Sequence, residues 1–507
     1  MSQSKNSPAL VVGCDIGNAY AYASVARTRT ADPLPLMPAE MAKVGMSTEV
    51  RISKKGEINV YPPDRSPHAR SGGTVGTVKR MLRMDAVPGL QTDRRISPWE
   101  VYSAIVRDLM NCACIETARL GEMPSYDVVF TYPAVLHSPE HLELLNRMEE
   151  SISSVEVNGH RLRVAGRLPE PAAAAIQYLN FIQNVAPEGV RFTGDELNVL
   201  VYDLGHGTFD LALVTARSNV TYDLRMQDGD ETVGGVDFDS AVYDELCARF
   251  YRLYQFRPAG QQQRLLMDKA PKVKLELCTP GVEETIVSFD VHLDGEDRTL
   301  ETTLTRERFE EICAPLLLKT LEKTQAMLER ADREGIRVDR IILTGGASQM
   351  PMVRSALQEL VGERFTIEEP YQPSRAVSFG AALYGAYQPQ GKILRQKTEQ
   401  AYGLMLRTSM DDIYLHLHTM IPAGADLPAR SQPLAMHAPA SGFFNFQVAY
   451  SADGVNPAER KRHLQLDGLP AEGRVEVTME VTEDLNIAIE CKAPDGSVHR
   501  VGTGNSR

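Results

Sequence analysis

Short apolar segments alternate with longer amphipathic segments over the first 387 residues or so of the chain. The apolar segments have strand length and are closely followed by Asp, Gly or Pro. They predict strands at Leu10–Cys14, Tyr126–Thr131, Leu197–Tyr202 and Arg340–Leu343. The intervening segments have helical spacing and predict helices at Pro98–Arg119, Pro139–Glu150, Ala241–Tyr254 and Phe309–Ala331. Strands that alternate with helices predict a layered α/β core.

The pattern changes beyond residue 388. Pro389 and Gly391 end the last helix, the segment that follows is mostly polar, and helical spacing nearly disappears. Alternating apolar and polar residues bounded by turn-forming residues predict a compact antiparallel β domain instead. Its predicted strands are Tyr414–His418, Phe444–Val448, Val475–Val481 and Asn486–Glu490.

Composition narrows the class of protein. The 507 residues are 43% hydrophobic, an ordinary value for a folded soluble chain, and the formal net charge is −13. Such an acidic balance argues against nucleic acid as the main partner. The pattern contains no apolar segment long enough to span a bilayer, and it contains no secretory signal. We therefore expect no membrane partner. Seven scattered cysteines are typical of reduced thiols, which favours a cytoplasmic location.

Two strands end in the same signature, VVGCDIG at 11–17 and VLVYDLG at 199–205, which indicates two related lobes. In the second copy a strand ends in Asp203 and turns on glycines towards Thr208. Such a turn can place a carboxylate beside a metal-bound water while glycine amides and the hydroxyl approach phosphate. Because Asp15 occupies the equivalent position in the first copy, the two aspartates can flank one hydrated magnesium ion.

Two further glycine turns precede helices. Thr344–Pro351 follows a predicted strand, and its backbone amides could accept the nucleoside end of a ligand. Gly229–Asp239 is the other. Each turn alone is better explained as a tight turn or a helix cap than as a site, but the order of the turns along the chain favours a nucleotide site. P-loop (GxxxxGK followed by Ser or Thr) and GxGxxG motifs are missing, which argues against those nucleotide-binding folds.

Taken together, these motifs resemble the ATPase domain of DnaK-type 70-kDa heat-shock chaperones. The segments that carry the resemblance are DIGNAY, VLVYDLGHGTFD, DETVGGVDFD, LPEPAAAAIQY and RIILTGGASQMP. Gly73–Leu82 resembles the family segment with the catalytic lysine. Ile421–Pro428 and Glu483–Ile489 resemble parts of the peptide-binding sandwich.

The resemblance implies an α/β fold with an actin-like (ribonuclease H-like), two-lobed ATP-binding domain at residues 1–389. Lobe I covers about 1–190 and lobe II about 191–389. A linker at 390–400 and an antiparallel β-sandwich substrate-binding domain at 401–507 follow. We expect no helical lid, because no helical pattern follows the last predicted strand.

The resemblance also implies roles for individual residues. Lys79 and Glu170 would orient the attacking water and the γ-phosphate, Asp15 and Asp203 would hold Mg²⁺ through water, and Thr208 would contact phosphate. Lys79, Glu170, Asp203 and Thr208 form the predicted catalytic set. The remaining predicted nucleotide contacts are Gly17, Asn18, Ala19, Gly205, His206, Gly207, Gly234, Gly235, Lys272, Gly345, Gly346, Ala347 and Gln349. The predicted peptide contacts are Leu404, Leu406, Phe444 and Phe446, of which both phenylalanines fit an ordinary core equally well.

Several positions depart from the family pattern. Asn18 and Ala19 replace two threonines, His206 replaces the middle glycine of the second turn, and Gln349 replaces an arginine that stacks on adenine. Each lost contact costs on the order of 1–3 kcal/mol, so weaker nucleotide binding and slow hydrolysis are expected. The linker is basic where the family has an acidic, leucine-rich strand, which leaves coupling between the domains open.

The sequence therefore predicts an ATP-dependent, chaperone-like protein that converts ATP to ADP and phosphate and binds extended or unfolded polypeptide. ATP or ADP with Mg²⁺ would be its cofactors, and co-chaperones would be further partners. One alternative is a nucleotide-binding adaptor or regulatory pseudo-chaperone with little ATPase activity. Another is a kinase or filament-forming protein on the same actin-like fold.

Overall fold

In a computed structural model, the chain forms two compact units. The first unit consists of residues 1–135, 151–218 and 227–386, and the second of residues 136–150, 219–226 and 387–507. The structure describes residues 10–28, 31–38, 41, 45–60, 71–188, 191–192, 194–217, 221–293, 296–388, 394–407, 414–451, 454–457, 461–469 and 473–503. Within these ranges, no helix has both the length and the apolar character needed to cross a membrane.

Up to residue 387 the chain is a mixed α/β structure. Its elements in chain order are β1 (Val12–Ile16), β2 (Tyr20–Val25), β3 (Leu34–Pro35), β4 (Met46–Ser47), β5 (Val50–Ser53), β6 (Ile58–Asn59), β7 (Ser71–Val75), α1 (Val78–Met81), α2 (Pro98–Arg119), β8 (Asp127–Tyr132), α3 (Leu142–Ser153), β9 (Glu156–Val157), β10 (His160–Arg161), β11 (Arg163–Pro169), α4 (Glu170–Asn180), β12 (Glu196–Leu204), β13 (Phe209–Arg217), β14 (Tyr222–Asp230), α5 (Gly235–Tyr254), α6 (Gln261–Leu277), β15 (Glu284–Leu293), β16 (Glu296–Thr305), α7 (Arg306–Arg333), β17 (Arg340–Thr344), α8 (Pro351–Val361), β18 (Thr366–Glu368) and α9 (Ala376–Tyr387).

The two motif-bearing strands occupy equivalent places in two sheets of the first unit. One sheet has the order β11-β8-β1-β2-β3, and the other contains the run β18-β17-β12-β13. In each sheet the motif strand pairs antiparallel with the next strand, β2 or β13, and parallel with a later one, β8 or β17. The repeated signature in the sequence thus corresponds to a repeated local arrangement.

Helices α4 and α9 pack backbone against backbone. A methyl group built on Gly380 would lie 1.8 Å from the carbonyl oxygen of Ala173, so no side chain fits at position 380. Residues Ala172 to Ala175 of α4 are all fully buried. Small residues permit this close approach, and the contact fixes α4, whose first residue is Glu170.

Most predicted elements are present with shifted ends. Helix α2 has the predicted bounds, because the Ser97 hydroxyl accepts a hydrogen bond from the Trp99 amide while Glu100 caps the Ser97 amide. Helix α5 begins at Gly235 rather than at residue 241, since Asp237 accepts a hydrogen bond from the Gly234 amide. The helix predicted from Pro139 is instead a short 3₁₀ turn followed by α3.

The second unit consists mostly of β-strands, which, apart from the first, pair antiparallel with one another. They are β19 (Leu394–Gln396), β20 (Ala401–Leu406), β21 (His416–Ile421), β22 (Ala429–Arg430), β23 (Leu434–His437), β24 (Phe444–Ser451), β25 (Arg462–Leu466), β26 (Arg474–Val481), β27 (Ile487–Lys492) and β28 (Val498–Gly502). One sheet has the order β21-β20-β24-β25 and another the order β22-β26-β27-β28, with β23 also on β26. We call β20–β28 the C-terminal sheets; they share one hydrophobic core.

Residues 136–150 pack with the C-terminal sheets. Leu142, the first residue of α3, is fully buried in their core. The side-chain amide of Asn146 donates to Asn486 Oδ1 and to the Thr503 carbonyl, both at 3.2 Å. Arg462 donates to the Pro139 carbonyl at 2.9 Å. This association joins chain segments more than 300 residues apart, and nothing in the local sequence pattern predicts it.

Residues 394–396 of the predicted linker form a strand. Strand β19 pairs parallel with the start of β14, with Leu394 opposite Tyr222 and Arg395 opposite Asp223. Leu394 is buried, and Arg395 Nε donates to Asp223 Oδ1 at 2.6 Å. Residues 390–393 of the predicted linker lie outside the described residues. The basic character of the linker is therefore matched by an acidic partner on β14.

Exchanging the charges of this pair tests how the strand is held. We expect Arg395→Asp and Asp223→Arg each to accelerate amide hydrogen exchange at residues 394–396, because each single variant places like charges opposite each other. The double variant should recover most of the protection. Because Arg395 is nearly half exposed, an effect of about 1 kcal/mol or less is expected. Equal exchange in all four proteins would show that the ion pair does not hold the strand.

Candidate functional site

Each motif strand of the first unit leads into a tight turn that carries a carboxylate at its start. Asp15 lies in β1 and Asp203 in β12, each one residue before the end of its strand. The closing hydrogen bonds, 2.9 Å each, run from Gly17 N to Tyr20 O and from Gly205 N to Thr208 O. The two turns are therefore built alike around equivalent aspartates.

Four carboxylates share one cleft. Asp203 and Asp210 are almost fully buried. Burial, followed by the charge of Glu170, raises the pKa of Asp15 to about 7 and that of Asp210 to about 7. Burial, then Glu170, Asp210 and Asp15, raises the pKa of Asp203 well above its ordinary value. The structure therefore places Asp15 and Asp203 close enough to interact electrostatically.

Lys79 and Glu170 form a buried ion pair beside these aspartates. Lys79 Nζ lies 2.5 Å from Glu170 Oε1, and their side chains are 6% and 14% exposed. Lys79 lies on α1, and Glu170 is the first residue of α4. The lysine lowers the pKa of both Asp15 and Asp203, which places its ammonium group in the same cleft. The residues predicted to orient water and phosphate are thus adjacent to those predicted for magnesium.

Neighbouring groups orient the carboxylates. Thr131 Oγ1 donates to Asp15 Oδ1 at 3.4 Å, and the Val135 amide donates to Asp210 Oδ1 at 3.1 Å. A hydrogen bond from the Thr208 side chain lowers the pKa of Asp210. Thr208, which was predicted to contact phosphate, therefore forms a hydrogen bond with a buried carboxylate.

The glycine turns approach one another closely. A methyl group at Gly207 would lie 2.0 Å from Asn18 Nδ2, and one at Gly234 would lie 2.5 Å from the Gly207 carbonyl carbon. Gly345 has a φ of +85°, and a methyl group there would lie 2.5 Å from Asp203 Oδ1. All three turns predicted at the cleft, together with the turn at Gly234, therefore lie next to one another and require glycine for their packing.

Arg80 joins the second turn to the start of α5. Its Nε donates to the Gly207 carbonyl at 2.7 Å, and its Nη1 and Nη2 lie 2.9 and 2.5 Å from the two carboxylate oxygens of Asp237. Asp237 in turn caps the Gly234 amide at 2.8 Å. Sequence reasoning missed Arg80, although it directly follows Lys79 in the recognised segment.

Lys274, rather than Lys272, lies beside the glycine turns. Lys272 is exposed, whereas Lys274 is buried and donates to the Gly235 carbonyl at 2.9 Å. Lys274 Nζ also lies 2.7 Å from Asp239 Oδ1. Two residues along a helix correspond to a rotation of about 200°, so the two lysines face opposite ways. Helix α6 remains continuous through Pro271.

His206 is half-buried and faces the same group of residues. A methyl group on Gly235 would lie 3.3 Å from His206 Nδ1 and 3.5 Å from Lys274 Nζ. Burial lowers the pKa of His206, Asp239 and Asp237 oppose this effect, and Lys274 and Arg80 add to it. The imidazole is therefore packed against the turn at Gly235 and is largely neutral at pH 7.

The third turn has both buried and exposed members. Ser348 Oγ donates to the Gly345 carbonyl at 2.6 Å, and Ala347 is 7% exposed. Gly346 and Gln349 are exposed, and a methyl group on Gly346 would contact nothing. Gly17 and Ala19 are partly exposed in the first turn. The turn therefore leaves exposed polar groups next to the Asp203 turn.

The four residues predicted to contact peptide belong to or adjoin the core of the C-terminal sheets. Leu404, Phe444 and Phe446 are buried, and Leu406 packs against them with partial exposure. The two phenylalanine rings stack with centroids 4.8 Å apart. Residues two apart on a strand share a face, so both rings point into the core. Of the four, Leu406 is the one with appreciable exposure.

The described residues contain no group of three or more His, Cys, Asp or Glu side chains arranged to bind a metal directly. A magnesium ion held through water by Asp15 and Asp203 does not need such a group. Burial, and after it the charge of Glu170, raises the pKa values of Asp15, Asp203 and Asp210, and a divalent cation would offset both effects on the ionised carboxylates, so such a cation fits the chemistry of this cleft. All seven cysteines are free thiols.

The fold and the cleft define a mixed α/β protein in which two carboxylate-bearing turns meet further glycine turns. The family model described as "Hsp70 protein" matches residues 160–412. Chaperone protein DnaK of Deinococcus deserti is 32% identical over 293 residues, which cover 57% of this chain and 42% of that protein. Chaperone protein DnaK of Picrophilus torridus is 26% identical over 522 residues, covering 98% of this chain and 77% of that protein. The chain belongs to the Hsp70 family.

The two alignments cover different shares of their relatives. The first spans less than half the length of the Deinococcus protein, whereas the second spans about three quarters of the Picrophilus protein. The family-model match includes Glu170 and Asp203, and it ends between β20 and β21. Asp15 and Lys79 precede the matched range, so their place in the cleft depends on the structure described above.

The raised pKa of Asp210 makes stability depend on pH. In the unfolded chain an aspartate titrates near 3.9, whereas Asp210 titrates at about 7 in the folded, ligand-free protein. The folded state therefore keeps a proton that the unfolded state has lost, and this stabilisation is present below about pH 4 and disappears as pH rises through 7. We expect the unfolding temperature of the ligand-free protein to fall between pH 5.5 and 8.

Asp210→Asn should reduce this pH dependence, because the amide does not titrate. Each proton contributes at most about 1.4 kcal/mol per pH unit. Thermal unfolding at several pH values measures the slope, and Asp85→Asn, whose side chain is 93% exposed, is the matched control. If the unfolding temperature of Asp210→Asn depended on pH as steeply as that of the wild type, the retained proton would not be on Asp210.

Proposed function

We propose that this chain is an ATP-dependent, chaperone-like protein with an actin-like nucleotide-binding domain and a β-sandwich that binds extended polypeptide. The observation that carries the proposal is the shared cleft in which two carboxylate-bearing turns, the Lys79–Glu170 pair and the glycine turns meet. Membership of the Hsp70 family supports the same conclusion. The predicted domain boundaries, with a linker at 390–400, are part of this proposal.

The cleft suits a nucleoside triphosphate. Magnesium, held through water by Asp15 and Asp203, would neutralise phosphate charge. The amides of Gly207 and Gly346 would donate to phosphate oxygens, as glycine turns do in other phosphate sites. The nucleoside would lie towards Lys274 and the turn at Gly345. Phosphoryl transfer needs positioning and charge neutralisation rather than a covalent group on the protein, and the cleft supplies both.

Hydrolysis would use Glu170 and Lys79. Glu170 would orient or deprotonate the attacking water, and Lys79 would contact the terminal phosphate. In the ligand-free protein these groups hold each other at 2.5 Å. Entry of the terminal phosphate would compete for the lysine and release the carboxylate for water. The cost of breaking a buried ion pair supports slow turnover.

Calorimetric titration of Mg–ATP and Mg–ADP tests the nucleotide site. We expect Asp203→Asn to weaken binding by at least about tenfold, because it removes half of the paired carboxylates. Asp85→Asn serves as the control. Lys79→Met should lower single-turnover hydrolysis by about a hundredfold or more, a typical loss for a positioning charge, with Lys55→Met as its exposed control.

Two results would contradict this assignment. Equal heats in the wild type and Asp203→Asn would remove the cleft as the nucleotide site. Nucleotide binding without any hydrolysis in the wild type would remove the ATPase activity while leaving the binding site.

The polypeptide site is proposed on the C-terminal sheets. Strand β21 lies at the edge of its sheet, and its Leu417 and Met420 are partly exposed. Leu406, at the end of the adjacent strand, is partly exposed as well. An extended peptide can pair with a sheet edge through its backbone while apolar side chains contact such residues. The edge position of β21 and the partly exposed apolar side chains beside it together support a role in binding polypeptide.

A labelled apolar heptapeptide followed by fluorescence anisotropy tests the peptide site. We expect Leu406→Asp to weaken binding by about tenfold or more, because a charge replaces a partly buried apolar contact. Val498→Asp, at an exposed apolar residue of β28 on the other sheet, should bind like the wild type. Equal loss in both variants would indicate nonspecific adhesion, and retention in both would exclude Leu406 from the site.

A further inference from the structure

Asn18 closes the gap between the two carboxylate turns. The residue is only 8% exposed although it lies in a turn between β1 and β2. A methyl group on Gly207 would lie 2.0 Å from Asn18 Nδ2 and 2.6 Å from Asn18 Cγ. The carboxamide of one turn therefore rests directly on the backbone of the other.

The second turn cannot move away from this contact. On its opposite side, a methyl group at Gly234 would lie 2.5 Å from the Gly207 carbonyl carbon and 2.7 Å from the Thr208 amide. Arg80 holds the Gly207 carbonyl at 2.7 Å, and the Gly235 amide donates to the Gly205 carbonyl at 2.9 Å. The turn is thus packed on one side and tied by hydrogen bonds. Widening the gap requires a movement of Asn18.

Asn18 itself is incompletely satisfied. Among the residues that the structure describes, none donates a hydrogen bond to its buried Oδ1. A buried acceptor without a hydrogen-bond donor is unfavourable. A change of rotamer that gives Oδ1 a donor would remove this cost, so the packed rotamer of Asn18 is easily displaced by a ligand. The side chain is therefore well placed to move, whereas the surrounding backbone is not.

In the proposed orientation of the nucleotide, the terminal phosphate would enter between the two carboxylate turns, where Asn18 meets Gly207. For hydrolysis, the last phosphoryl group must reach Lys79 and Glu170 and lie between the turns that follow Asp15 and Asp203. Asn18 is three residues after Asp15, and Gly207 is four residues after Asp203. A nucleoside diphosphate anchored at the Gly345 turn is one phosphoryl group shorter and reaches less far into this gap.

We propose that Asn18 makes the cleft selective for a nucleoside diphosphate over the corresponding triphosphate, by occupying the space of the third phosphate. This inference rests on the proposed nucleotide site and deepens it. A triphosphate binds after the carboxamide leaves its packed position against Gly207, and a diphosphate binds with the carboxamide in place. Removal of the Asn18 side chain should therefore raise the affinity for the triphosphate and leave the affinity for the diphosphate unchanged.

Calorimetry with Mg–ADP and the non-hydrolysable Mg–β,γ-imido-ATP tests the proposal. We expect the wild type to bind the diphosphate at least about tenfold more tightly. In Asn18→Ala the triphosphate analogue should gain about tenfold, with diphosphate affinity unchanged within about twofold. Asn18→Ser, which keeps a smaller polar group, should fall in between. Asn59→Ala, at an exposed asparagine of β6, is the matched control.

The possible outcomes separate the inference from the function on which it rests. Loss of triphosphate affinity in Asn18→Ala would overturn the inference, because the carboxamide would then be a phosphate donor. Parallel changes for both nucleotides, or equal affinities in the wild type, would also overturn it. A lack of heat with either nucleotide in all proteins, with thermal unfolding unchanged, would instead overturn the nucleotide site itself and the inference with it.

Discussion

The central physical constraint in this protein is the concentration of negative charge in a poorly hydrated cleft. Burial, and after it the charge of Glu170, raises the pKa values of Asp15, Asp203 and Asp210, and Lys79 compensates only in part. Ionising a buried carboxylate without full charge compensation is unfavourable, and the pKa of the group rises as a result. A fold can keep such a cluster only if the backbone around it cannot relax. The cleft is thus prepared for a positive ligand, and the surrounding structure prevents the carboxylates from separating.

That rigidity comes from backbone contacts rather than from large side chains. Helix α4, which begins with Glu170, meets α9 where Gly380 leaves no room for a methyl group. Gly345 approaches Asp203 in the same way, and Gly234 supports the second turn from behind. These positions fix distances by steric exclusion, which changes little with pH or salt. The carboxylates can therefore repel one another without displacing the turns and helices to which they belong.

The sequence features that led to the predicted cleft are local. A strand that ends in Asp and turns on Gly can be recognised from a few consecutive residues, and two copies predict two equivalent turns. The choice between Lys272 and Lys274 required knowledge of which face of α6 is buried, and periodicity around Pro271 does not supply it. The burial of Leu142 among the C-terminal sheets depends on residues more than 260 positions away. Contacts of that kind arise from tertiary packing, which a single sequence does not display.

The two turns also show how a repeated unit can acquire different roles at its two copies. Asn18 and His206 occupy the same position, three residues after their aspartates, yet their side chains face different neighbours. Asn18 packs across the cleft on Gly207, while His206 lies on the other side of its turn beside Gly235 and Lys274. In the proposed orientation of the nucleotide, the first faces the terminal phosphate and the second faces the nucleoside side. Because the turn backbone between them is held by hydrogen bonds, a change at one position should leave the packing at the other intact. Divergence at equivalent positions can therefore tune the two ends of the ligand independently.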